Sequence, residues 1–265
     1  MAGVMKRRAF LAAGAGLPAA AATQSSMQTS SPAILELRYF RLRNTLDNQR
    51  GRLSEHLSKA VVPALTRAGA GPVGLFASSI APDSPFLLLL VQHASLAAFE
   101  QCWQRLAADA DLRSATEALY KQVALPYQRM DVHLLRGFRR FPSIEAPPSE
   151  AGRASRIFEL RTYESNTPES LARKIGMFED GEISLFRKFG LLPVFFGEMI
   201  AGAKMPNLTY MVAFDNLAAR EANWRAFATS PEWKKMAATP GLSDGEVVSN
   251  ISSVILAPVA GSMIR

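Results

Sequence analysis

Ile157-Phe-Glu-Leu-Arg-Thr-Tyr163 repeats an earlier stretch, Ile34-Leu-Glu-Leu-Arg-Tyr-Phe40, and Leu217-Ala-Ala-Arg-Glu-Ala-Asn-Trp224 repeats Leu96-Ala-Ala-Phe-Glu-Gln-Cys-Trp103. The first pair is offset by 123 residues and the second by 121, so one short insertion or deletion separates the two registers. A match held at such spacing marks a duplicated structural unit. Residues 157–233 therefore carry the pattern around which the chain is organised, and residues 34–112 are a worn copy of it.

In the first copy Leu35, Leu37 and Tyr39 alternate with Ile34, Glu36, Arg38 and Phe40, the period of a half-buried strand. Leu53, Leu57, Val61 and Leu65 then recur at helical spacing, with Pro63 expected to kink that helix and Gly69 to end it. Residues 73–80 and 86–93 read as a hairpin around Ala81-Pro-Asp-Ser-Pro85. Ser95 can cap a helix from Leu96, and residues 124–136 read as a fourth strand. The second copy repeats the order, with Thr167-Pro168 opening a helix, Gly190 closing it, a hairpin over 192–200 and 208–214, helices bearing Trp224 and Trp233, and a last strand over 246–256. Each copy thus reads β-α-β-β-α-β, an α+β fold of ferredoxin-like order, with units at 34–141 and 156–265 joined by a proline-containing linker over 142–155. Such a unit carries helices on one face of its sheet, so the two bare antiparallel sheets are expected to face each other.

A length of 265 residues with 48% apolar and 20% charged side chains suits two units with proper cores. The formal charge of +7 falls to +4 once Lys6, Arg7 and Arg8 are set aside, and the remaining cations are interspersed with Asp and Glu. That is a solvated surface without a nucleic-acid footprint. Cys102 has no second cysteine to pair with.

At the N-terminus Met5-Lys-Arg-Arg-Ala-Phe-Leu11 sets Arg7 and Arg8 directly before a mildly apolar stretch ending in alanines. This resembles a bacterial twin-arginine signal, expected to span 1–22 and to be followed by a flexible tail over 23–33. It implies export to the periplasm with the export machinery as partner. The stretch is too short for a membrane span, and no other segment approaches that length.

Glu159-Leu-Arg-Thr-Tyr163, Phe186-Arg-Lys-Phe-Gly190, Leu208-Thr-Tyr-Met-Val-Ala-Phe214, Leu217-Ala-Ala-Arg-Glu-Ala-Asn-Trp224 and Ser230-Pro-Glu-Trp233 together resemble the NIPSNAP family. The resemblance covers the second unit almost entirely. In the first unit Phe40 replaces the tyrosine, and Ala110-Asp-Leu112 replaces Pro-Glu-Trp. The resemblance implies a dimeric α/β-barrel fold and a possible homodimer. It implies no settled reaction and no cofactor.

The same alternation that makes the first strand of each unit puts Glu36 with Arg38, and Glu159 with Arg161, on one face. With the leucine face assigned to the helices, these pairs are expected between the sheets. A guanidinium there can hold a carboxylate of a small ligand, and a carboxylate there can serve as a base. The alternative is that each Glu simply pairs its own Arg or that of the other unit. Glu36, Arg38, Glu159, Arg161 and Tyr163 are thus the expected ligand-binding residues. Glu159, Arg161, Tyr163 and Tyr210 are the candidates if the protein is instead a cofactor-independent enzyme, a monooxygenase or isomerase. A third class is a protein-interaction module, marked by an exposed apolar patch. His56, His93 and His133 have no metal-binding spacing, and His93 stands where the second unit has Phe214. Trp103, Trp224 and Trp233 read as core residues.

Overall fold

In a computed structural model the protein is described at residues 31–122, 125–148 and 154–265. Arg7, Arg8, the expected signal peptide and most of the tail lie outside these residues, as do Ala124 and part of the linker.

The alternating stretch at the start of each repeat is a central strand. β1 (Ile34–Arg41) lies between β3 (Phe86–His93) and β4 (Arg129–Gly137), and β2 (Val73–Ile80) pairs with β3. In the second repeat β5 (Ile157–Glu164) lies between β7 (Asn207–Phe214) and β8 (Asn250–Pro258), and β6 (Leu192–Ala201) pairs with β7. Both four-stranded sheets are antiparallel. They are joined at both edges, β2 to β8 and β4 to β6, so the order β1-β3-β2-β8-β5-β7-β6-β4 closes into a barrel. Closure within one chain leaves neither sheet with a free edge.

The helices pack on the outside. Asn48 caps α1 (Gln49–His56), which runs through a π-helical turn at Leu57–Val61 into α2 (Val62–Arg67). The second repeat has the same device: Thr167 caps α5 (Pro168–Met177), a π turn follows at Phe178–Glu182, and α6 (Ile183–Lys188) completes the helix. Pro63 was expected to kink the first helix, but the second π turn has no proline, so the irregularity belongs to the repeat and Pro63 merely fits it. Gly69 and Gly190 end these helices at φ +88° and +76°, where a side chain would be strained. Ser95 caps α3 (Leu96–Ala108), followed by α4 (Ala110–Gln122); Asn216 caps α7 (Leu217–Thr229), followed by α8 (Pro231–Ala237).

Two strands start more than two residues from where the sequence pattern puts them. β4 begins at Arg129 and not at 124, after Pro126, with pairing opened by the Gln128 amide donating to Arg41 at 2.7 Å. The last strand begins at Asn250 and not at 246, because the Ser243 and Glu246 side chains box the start of a one-turn helix, α9 (Asp244–Val247).

The larger correction concerns faces. Glu36, Arg38, Glu159 and Arg161 were expected between the sheets, yet it is the leucine side that fills the barrel. Leu35, Leu37, Phe158 and Leu160 pack there with Phe76, Leu88, Phe195, Met211 and Leu256. The Glu/Arg side lies beneath the helices with Phe40 and Tyr163. The physical reason is the supply of partners. Within the barrel a carboxylate meets mainly apolar side chains, whereas the helices bring indole N–H groups and cations to satisfy it.

At one seam Gly137 faces Gly197, and a Cβ on Gly137 would come within 2.8 Å of the Pro142 carbonyl. Gly137→Ala is expected to cost about 1–3 kcal/mol by overpacking that junction, read as a lower denaturant midpoint. An unchanged midpoint would mean the seam yields freely.

Candidate functional site

In each repeat a fully buried glutamate collects the donors around it. The Arg38 Nε donates to Glu36 Oε1 at 2.7 Å, the Trp103 indole N–H to Oε2 at 3.0 Å, and His93 Nε2 lies 2.9 Å from Oε2. The Arg38 guanidinium also stacks on Trp103 at 3.8 Å. In the second repeat Arg161 donates to Glu159 at 2.9 Å, Trp224 at 2.7 Å, Ser253 at 2.6 Å, and Arg220 by two N–H groups at 2.8 and 2.6 Å. Burial pushes the Glu159 carboxyl up, but the Arg220, Ser253, Arg161 and Trp224 interactions outweigh it and hold the group below the usual carboxylate range. Glu36 is likewise pushed up by burial and brought lower by His93, Arg38 and Trp103. The two sites are related by an exchange. Where the first repeat has His93 and Phe99, the second has Phe214 and Arg220, so beside the strand arginine and the indole a further nitrogen partner reaches the carboxylate from a strand in one copy and from a helix in the other.

Tyr163 and Tyr210 are brought to the same cluster. Tyr210 Oη donates to Tyr163 Oη at 3.0 Å, and Arg161 donates to Tyr163 at 3.3 Å. Burial raises both phenols, Tyr210 well above its ordinary value. Beyond them Lys174 donates to Glu182 at 3.1 Å, both nearly inaccessible, and lies 3.5 Å from Asp244. Burial pushes Glu182 up to about 7 against the pull of Lys174. All four residues expected to carry chemistry, Glu159, Arg161, Tyr163 and Tyr210, thus form one connected chain beneath the helices and not in the space between the sheets.

The space between the sheets opens at one end of the barrel, where the strand faces turn polar. A cavity of about 590 Å3 is floored by Leu37, Leu160, Met199 and Val254 and ringed by Tyr39, Arg41, Asp131, His133, Thr162 and Thr209. Arg41 donates to Asp131 at 2.8 Å and lies over the rings of Tyr39 and Phe86 at 4.7 and 4.9 Å. Tyr39 and His133 have ring centroids 5.3 Å apart. Burial pushes the Tyr39 phenol up, against Arg41 and with Asp131. Burial lowers His133, with Asp131 opposing and Arg41 assisting, so the imidazole is neutral at pH 7. Thr162 and Thr209 share a 2.9 Å hydrogen bond. The sequence carried a signal for this set: Leu35, Leu37, Tyr39 and Arg41 share one parity, as do Phe158, Leu160 and Thr162, so the inward stripe becomes polar at one end. Among the described residues no group of acidic, histidine or cysteine side chains is arranged to hold a metal ion, and no helix is long and apolar enough to cross a membrane.

A closed barrel of two ferredoxin-like sheets with external helices defines a protein of the dimeric α/β-barrel type, here with both halves in one chain. The fold is similar to a candidate monooxygenase from Lactobacillus acidophilus NCFM, at 12% identity over 86% of this chain and 94% of that one, TM-score 0.55. A candidate monooxygenase from Fusobacterium nucleatum subsp. nucleatum ATCC 25586 (10% identity, 86% and 93% covered, TM-score 0.55) and an anthrone oxidase-like protein (13%, 87% and 93%, TM-score 0.52) are similar to it as well. At these identities the likeness is one of fold. Residues 158–263, almost the whole second repeat, match the family model for NIPSNAP. No curated protein matches the chain.

Proposed function

We propose that this chain is a NIPSNAP-type protein, exported by the twin-arginine route, that binds a small, partly apolar molecule at the mouth of its barrel. The observation that carries the reading is the cavity of about 590 Å3 between the sheets, within the size range of small-molecule sites, with an apolar floor and a few convergent polar groups. The Tyr39 hydroxyl and the neutral His133 ring supply one strong donor and one donor or acceptor to orient a ligand. The Glu159 group is a fastening in this account, since its carboxylate is already fully engaged.

Titration calorimetry with a panel of small amphipathic molecules tests the proposal. Binding should be lost in Val254→Phe, which puts a ring into the cavity, and weakened about tenfold in Tyr39→Phe, the value of one well-placed hydrogen bond of about 1.4 kcal/mol. Affinity indifferent to both changes would remove the site. A cofactor-independent enzyme is the second reading, favoured by the neutral imidazole beside a phenol at 5.3 Å between ring centroids. Its reagent would be His133 and not Glu159; turnover that survives His133→Asn would dispose of it.

A further inference from the structure

We propose that the first repeat holds a second, separate ligand site beneath its helices, selective for a small carboxylate with a short apolar tail, with Arg38 as the anchoring residue. A cavity of about 240 Å3 lies there, lined mainly by apolar side chains such as Leu53, Leu57, Trp103 and Leu106, with Arg38, His56 and Thr116 among its polar groups. Comparison with the other repeat explains the space. Leu57, Leu89 and Leu112 stand where the second repeat has Phe178, Tyr210 and Trp233, three rings that fill the matching volume. Phe178 and Tyr210 there are in mutual contact at 5.4 Å between centroids, with Trp233 packed against the same core.

The guanidinium is under-partnered on the cavity side. Arg38 turns Nε and one terminal nitrogen to Glu36, each at 2.7 Å, while among the described residues its other terminal nitrogen, Nη1, finds only the Met130 thioether at 3.1 Å. A thioether is a weak acceptor. In the second repeat the corresponding arginine donates to the Tyr163 hydroxyl at 3.3 Å, but Phe40 occupies that position in the first and offers no oxygen. The open N–H edge and largely apolar walls call for a carboxylate head and a hydrocarbon tail. Glu36 sits on the opposite edge of the guanidinium, facing Nε and the second terminal nitrogen, with its far oxygen turned to His93 and Trp103 at 2.9 and 3.0 Å.

The Trp103 indole N–H, fixed on Glu36 beside the site, is a local reporter in 1H–15N spectra, its signal assigned by loss in Trp103→Phe. Titration with hexanoate should give a saturable shift of that signal, at least about tenfold tighter than with hexan-1-ol, as a charge-assisted hydrogen bond requires. Arg38→Met should abolish the preference for the acid. Phe40→Tyr, which hands Arg38 the internal oxygen found in the second repeat, should weaken hexanoate several-fold while keeping the fold. Val254→Phe, at the barrel mouth, should change nothing, which separates this site from the first. No shift at Trp103, equal affinity for acid and alcohol, a preference that survives Arg38→Met, hexanoate affinity unchanged in Phe40→Tyr, or binding lost in Val254→Phe would each overturn the proposal.

Discussion

Replacing Glu159 with glutamine is expected to cost about 3–5 kcal/mol, the range for breaking a buried ion pair by removing one partner. Glu159 is inaccessible to solvent and receives hydrogen bonds from Arg161, Arg220, Trp224 and Ser253. A glutamine amide turns an NH2 toward some of those donors and leaves two guanidinium groups without a counter-charge. The pH dependence follows from the sign of the shift. The folded carboxyl lies below its ordinary value, so its contribution is present above about pH 4.5 and is lost as pH falls through the folded value. Glu159→Gln should therefore flatten the acid side of the stability profile. Part of that slope should remain, because Glu36 is shifted the same way. Urea midpoints measured from acid to neutral pH decide the matter; a wild-type-like acid slope in Glu159→Gln would contradict the assignment.

Lys174→Leu is expected to lower stability, and the double change Lys174→Leu/Glu182→Val to leave it unchanged or raise it. At an offset of 121 residues Lys174 and Glu182 occupy the positions of Leu53 and Val61, so the first repeat already contains the apolar version of this site. The single change strands Glu182 beneath the helices and should cost about 3–5 kcal/mol at neutral pH. The double change should be neutral or stabilising, by up to about 4 kcal/mol, since apolar replacement of a buried pair avoids its desolvation. Glu182 is raised by burial to about 7 from 4.5, so what it contributes is fully present below pH 4.5 and declines as pH rises through 7. Without Lys174 the rise is greater, and the loss in Lys174→Leu should be small in acid and largest above neutrality. A double variant as unstable as the single one would show that the pair does more than fill space.

The strands of this fold were legible because alternation and repetition reinforce each other. Ile34–Arg41, Val73–Ile80 and Phe86–His93 fall where period and turn chemistry put them. The ends of β4 and β8 were not, because what sets them is a single amide bond to Arg41 and a Ser243–Glu246 box. The side each strand face would take was also illegible. Period 2 says that Leu35 and Glu36 point opposite ways, but not which way is inward, and in a closed barrel the apolar face does not have to meet the helices. The expected Glu/Arg pairing is present within each repeat, with its partners Arg220, Trp103 and Trp224 supplied by helices far along the chain. Reading Trp103 and Trp224 as core residues captured their rings and missed their N–H groups. His93, which stands where the second repeat has Phe214, holds Glu36. The mouth residues Tyr39, Arg41, Asp131 and His133 become neighbours only once β1 and β4 pair, with Tyr39 opposite Asp131 and Leu37 opposite His133.

A crystal structure of the protein with its tightest-binding small molecule would show whether the barrel mouth is the ligand site. Electron density is expected between the two sheets, over Leu160 and Val254, with a polar atom of the ligand within hydrogen-bonding distance of the Tyr39 hydroxyl or the His133 ring. Ordered water alone in the mouth, with the compound bound elsewhere, would contradict it.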